Sequence, residues 1–134
     1  MPDRDASPVL RELAVPVDRV VSANAGDALS DVFDRMRANG LSQLPVVADG
    51  RVAGIVDESD ILLHVYGQPA RFGDPVEAAM VRKIDALDLT QPVEALLPLF
   101  DRGHVAIVND GDRFVGLVTR TDLLDWLRHG AGTA

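Results

Sequence analysis

Apolar and polar positions follow two different periods along this chain, and each change of period marks an element. Leu29, Val32, Phe33 and Met36 recur at i, i+3, i+4 and i+7, the spacing of one helix face. Asn39-Gly40 stops that helix, since both residues tolerate the left-handed backbone of a helix end. Gln43 to Val47 and Val52 to Val56 are β-rich runs around Ala48-Asp49-Gly50-Arg51, which predicts a hairpin. A helix from about Ser59 carries Ile61, Leu62 and Val65 and ends at Gly67 and Pro69. With the short extended Val20-Val21 in front, the order is β-α-β-β-α.

The same order then comes a second time. Ile84 to Leu87 is extended, a helix from Thr90 has the stripe Val93, Leu96, Leu97 and Phe100, and a hairpin joins His104 to Val108 with Arg113 to Val118 around Asn109-Asp110-Gly111. The closing helix carries Leu123, Leu124 and Leu127. A shift that lays Gly54 on Gly116 also lays Val56 on Val118, Asp60 on Asp122 and Leu62 on Leu124, so the stretches Gly54 to Leu62 and Gly116 to Leu124 are an internal repeat. The fold class read from this is α/β, with two pseudo-symmetric β-α-β-β-α repeats. They span residues 17–67 and 80–129, with a linker at 1–16, a connection at 68–79 and a fraying end at 130–134. Halves of this size are marginal alone by surface-to-volume scaling, so they are expected to pack as one domain.

Two smaller elements are expected around the repeats. Ser7-Pro8 opens a short helix whose Val9, Leu10 and Leu13 face inward, and its end docks on the first repeat. Asp74 caps a helical turn reaching Met80, with Pro75 first inside it.

Charge and composition narrow the chemistry. The net charge is -8, with a single lysine (Lys83) and twelve arginines scattered among seventeen aspartates. That argues against nucleic acid, which needs clustered cations. There is no cysteine, which excludes disulfides, thiolate metal sites and Cys nucleophiles. No apolar run approaches the roughly 20 residues of a membrane span, and the start lacks a signal-peptide core. A cytoplasmic protein is expected. His64, His104 and His129 are too far apart for HxxH or HExxH metal spacing. His64 and His129 lie near helix C-termini, where an imidazole suits the dipole, and His104 lies in a strand.

The duplicated Asp motifs have two readings. Thr119-x-x-Asp122 and Asp57-x-x-Asp60 are spaced as capping boxes, which needs no ligand. A carboxylate at a helix start beside a hydroxyl can also hold a ribose diol, as an acidic residue does in dinucleotide folds. Spacing leaves both open, capping being the commoner.

These two copies resemble the CBS domain pair, or Bateman module, from about Leu13 to Arg128. Five stretches resemble more closely the C-terminal regulatory module of bacterial cystathionine β-synthases and related pyridoxal-phosphate enzymes: Gly40 to Val47, Gly54 to Leu62, Asp74 to Met80, Ala95 to Gly103 and Asp110 to Leu124. The resemblance implies a cleft between the repeats with two ligand positions. In one, Thr119 and Asp122 take the ribose with Leu117 and Thr121 flanking, and Leu41, Ser42, Gln43 and Leu44 line the base. The other uses Asp57 and Asp60, with His104, Val105 and Ala106 opposite. Asp57 departs from the family's usual hydroxyl and disfavours phosphate, so the Thr119/Asp122 position is the better candidate.

The family implies an adenosyl ligand, and S-adenosylmethionine suits an acidic chain lacking a phosphate cradle. The alternatives are an adenine-nucleotide sensor for AMP, ADP or ATP, and a ligand-free dimerisation scaffold. No nucleophile is paired with a base, which argues for a regulatory module rather than an enzyme. A pyridoxal-phosphate catalytic domain in a parent protein is the implied partner. Trp126, off the Leu123/Leu124/Leu127 stripe, is expected to be the most exposed aromatic and to mark a homodimer patch.

Overall fold

A computed structural model describes residues 8–101 and 105–129. In chain order the main elements are β1 (Val15–Pro16), β2 (Ala23–Asn24), α1 (Leu29–Ala38), β3 (Gln43–Ala48), β4 (Arg51–Asp57), α2 (Glu58–Val65), β5 (Ala86–Asp88), α3 (Leu96–Asp101), β6 (Ala106–Asp110), β7 (Arg113–Val118) and α4 (Arg120–Arg128). Short 3-10 turns at Leu10–Glu12, Pro69–Gly73, Val76–Ala78 and Val93–Ala95 fill the connections. The chain forms two compact units. One is contiguous, Val21–Ile84, and the other joins the described residues up to Val20 with those from Asp85 onward.

In the contiguous unit the sheet order is β2-β3-β4, with β2 parallel to β3 and β3 antiparallel to β4. The hairpin turn has Asp49 and Gly50 at φ 52° and 76°, the left-handed pair that a two-residue loop needs to match strand twist. The buried core takes Leu29, Val32 and Met36 from α1, Leu44 and Val46 from β3, Val56 from β4, and Ile61 and Val65 from α2. Val76, from the connection after the repeat, and Met80, the first residue of the second span, complete it.

The two-piece unit repeats this plan in the order β1-β7-β6-β5. Its core is Val93, Leu96, Leu99, Phe100, Ala106, Val108, Val118 and Leu123, closed by Leu10 at 0% exposure. The segment before the first repeat is therefore part of the second. Leu10 packs in that core, Leu13 and Ala14 pack against it, and β1 pairs antiparallel with β7 (Val15 opposite Leu117). This corrects the expected docking on the first repeat: neighbours in sequence are not neighbours in space here.

The connection after the first repeat behaves likewise. The Val81 N–H donates to Ile55 O at 2.8 Å and the Ile55 N–H to Val81 O at 2.9 Å, so Val81 lines the free edge of β4. The repeated glycines make both approaches possible. A Cβ on Gly54 would lie 2.6 Å from Val81 O, and one on Gly116 would lie 2.7 Å from Val15 O. Asp74 is not the N-cap expected. Pro75 holds that position without a side-chain bond, and Asp74 instead pairs its carboxylate with His64 Nε2 at 2.9 Å while its carbonyl accepts the Leu29 N–H.

The helix faces differ from their expected stripes. Trp126 is half-buried against the core, whereas Leu124 and Leu127 point outward. Leu62 and Leu97 are also exposed, and the most exposed apolar side chains on α2 are Leu63 (79%) and Tyr66 (74%) at its end. The surplus of apolar positions made the inward arc ambiguous.

Candidate functional site

Each β-hairpin delivers its last residue to the start of a helix, so the duplicated motifs sit where strand becomes helix. At α4, Thr119 Oγ1 accepts the Asp122 N–H at 3.1 Å, and Asp122 Oδ2 accepts the Thr119 N–H at 2.8 Å. At α2, Asp57 Oδ1 accepts the Asp60 N–H at 2.8 Å, and Asp60 Oδ2 accepts the Asp57 N–H at 2.9 Å. Both are full capping boxes. Capping uses one carboxylate oxygen of Asp122 and leaves its other oxygen without a hydrogen bond among the described residues. The Thr119 hydroxyl accepts in the cap and keeps its hydrogen for donation. Capping and ligand binding are therefore compatible in the same two residues.

The two boxes differ electrostatically. Burial pushes the Asp60 carboxyl above its ordinary value, and the neighbouring Asp57 charge and side-chain hydrogen bond push it further, against the backbone bond that lowers it. For an acid raised in the folded state, stability falls as pH climbs from the ordinary carboxylate range through the raised value. Asp27, lowered chiefly by the Asn24 N–H, has the opposite sign: its contribution is present above that range and is lost as acid titrates it. Replacing Asp57 by Thr keeps a capping oxygen and removes the repulsion, so Asp60 should titrate at lower pH. Carboxyl 13C shifts followed through a pH titration check this; an unchanged Asp60 curve would mean that burial alone raises it.

The remaining candidates divide between the units. Gln43 stands opposite Asp57 in the β3–β4 register, and Ser42 O accepts the Glu58 N–H at 3.1 Å. Leu41, Ser42, Gln43 and Leu44 thus share the contiguous unit with Asp57 and Asp60. Leu117, Thr119, Thr121 and Asp122 share the other unit with Val105 and Ala106, the latter opposite Val118. Leu44 and Ala106 are fully buried and Val105 nearly so, which leaves mainly their backbone to meet a ligand. Thr121 is exposed, Leu117 is half-buried, and His104 lies outside the described residues. Sequence reading missed Val15 and Val81, which back the two motif strands. The repeated Gly54 and Gly116, places where no Cβ fits, were the available signal.

Elsewhere, a pocket of about 140 Å³ lies among Phe33, Glu58, Ile61, Leu62, Val65 and Phe72. It is apolar, includes neither Asp57 nor Asp60, and falls below the roughly 300 Å³ at which small-molecule sites begin. Among the described residues no three His, Asp or Glu side chains gather as a metal site, and no helix is long and apolar enough to cross a membrane.

The sequence of the CBS domain family matches residues 10–67 and again 76–129. This chain belongs to the CBS domain family. It is a pair of CBS repeats. The chain is 26% identical over 121 residues to the uncharacterized protein MJ1225 of Methanocaldococcus jannaschii, covering 80% of this chain and 43% of that protein. It is 27% identical over 124 residues to cystathionine beta-synthase of Dictyostelium discoideum, covering 88% of this chain and 24% of that enzyme. The chain thus spans less than half the length of either. Among solved structures it resembles CBSX2 in complex with AMP, at a TM-score of 0.78 and 15% identity over 90% of this chain and 96% of that one. The CBS pair here therefore has the fold of a nucleotide-bound relative.

Proposed function

We propose that this CBS pair is a cytoplasmic regulatory module that binds an adenosyl compound, most favourably S-adenosylmethionine, at the start of α4. The observation that carries the reading is the spare carboxylate oxygen of Asp122 beside the Thr119 hydroxyl, an acceptor and a donor placed for a ribose diol. Leu117 and Thr121 flank it. Leu41, Ser42, Gln43 and Leu44 take the base-lining role by resemblance, and Asp57 and Asp60 with His104, Val105 and Ala106 form the second position.

Charge favours S-adenosylmethionine. The chain carries -8 overall, and a sulfonium and an ammonium against one carboxylate suit it better than a polyphosphate. The relative that is a cystathionine beta-synthase supports an output on a pyridoxal-phosphate domain of a parent protein. The AMP held by CBSX2 supports the second reading, an adenine-nucleotide sensor. In either case the ligand acts through its differential affinity for two arrangements of the module.

Thermal unfolding with S-adenosylmethionine, AMP, ADP, ATP and no ligand separates these. A ligand at about a hundred times its Kd adds roughly 2.7 kcal/mol. A shift with S-adenosylmethionine alone supports the first reading, a graded shift across the nucleotides the second, and no shift a scaffold whose Asp residues only cap helices.

The outward Leu62, Leu63 and Tyr66 of α2 and Leu124 and Leu127 of α4 support a homodimer through the helix faces. Light scattering should give about twice 14.4 kDa. The pair Leu63→Asp and Leu124→Asp should return the monomer with its fold intact; a monomeric unsubstituted protein would remove this part.

A further inference from the structure

Resting on that reading, we infer that the two segments crossing between the units are the output elements of the sensor: ligand held at a capping box orders the crossing segment that is zipped to the same strand. The chain crosses twice, at Val20–Val21 and at Ile84–Asp85. Ahead of each crossing, the segment is bonded to the edge of the strand that leads into a capping residue, as the two-residue strand β1 on β7 and as a single bridge from Val81 to β4. Val81, three residues ahead of Ile84, exchanges two hydrogen bonds with Ile55, and Asp57 follows Ile55 by two residues. Val15 stands opposite Leu117, two residues ahead of Thr119, and the chain reaches Val20 five residues later.

The glycines make each contact stiff. With Val81 O and Val15 O only 2.6 and 2.7 Å from where a Cβ would be, β4 and β7 cannot slide along their edges without displacing the crossing segment. β4 and β7 each end at the cap, so a ligand fixing Asp122 and Thr119 fixes Leu117, and through it Val15. The two crossings are unequal. Five residues separate Val15 from the first crossing at Val20 and three separate Val81 from the second at Ile84, so the first crossing lies farther from its strand contact and has more order to gain.

Hydrogen exchange of the full 134-residue chain tests this, with S-adenosylmethionine and AMP as probes. A saturating probe should slow exchange at residues 119–123 and, by roughly an order of magnitude, at residues 17–22. Gly116→Ala, which presses on Val15 O without touching Thr119 or Asp122, should keep the first effect and lose the second. Without any probe, Thr119→Ala should speed exchange at 17–22 while leaving the Val81 amide unchanged. Protection confined to 119–123, or an insensitive 17–22 in Thr119→Ala, overturns the inference while the binding reading stands. No protection at 119–123 with either probe removes both.

Discussion

Asp122→Ala is expected to abolish adenosyl binding at the start of α4 and to destabilise its unit, through two separate losses. The ligand loses a charged acceptor, and one hydrogen bond to a charged group is worth about 1.5 to 3 kcal/mol, or more than tenfold in affinity. The helix loses half its capping box, since Asp122 no longer accepts the Thr119 N–H, at about 0.3 to 1.5 kcal/mol. Asp122→Asn divides the two: its amide oxygen can still accept from Thr119, so stability should largely return while affinity stays low. Calorimetric titration beside urea denaturation reads both quantities. Affinity unchanged in Asp122→Ala would take the ligand away from this helix start.

Leu10→Ala should be the most damaging single change outside the repeats. The side chain is fully buried among Val93, Leu96, Phe100 and Val118, and leucine-to-alanine truncation at such sites costs about 2 to 5 kcal/mol. Removing residues 1–16 strips both Leu10 and β1 and should leave the two-piece unit unable to fold, while the contiguous unit keeps its core. Leu63→Ala, on an exposed position, should change the unfolding free energy of the monomer by less than about 0.5 kcal/mol. Equal midpoints for Leu10→Ala and the unsubstituted chain would contradict the packing described for that segment.

Both hairpins, the α1 stripe and the repeat itself were readable because their signals are local: a turn type, a period, a stop residue. Gln43 to Val56 became β3 and β4 almost residue for residue, and Leu29, Val32 and Met36 are buried as their spacing implied. The capping pairs were readable too, down to which residue caps which helix. What escaped was long-range or degenerate. Nothing near Leu10 says that its partners lie beyond Val93. Nothing in Leu123, Leu124, Trp126 and Leu127 says which arc turns inward, because apolar residues fill more of the helix than its own sheet covers. Thr and Asp spacing alone could not show that a cap leaves one carboxylate oxygen over. That needed the hydrogen bonds.

The placement of β1 against β7 also sets an order of assembly. Residues 21–84 hold every strand, helix and core side chain of the contiguous unit, so that unit can fold while the rest of the chain is still being synthesised. The other unit is completed only when Leu117 has emerged to meet Val15, about a hundred residues behind it, and such distant pairing is intrinsically slow. Until then Leu10, Leu13 and Val15 wait without partners. A refolding experiment should therefore resolve two phases, the fast one belonging to the middle of the chain and the slow one to its joined ends.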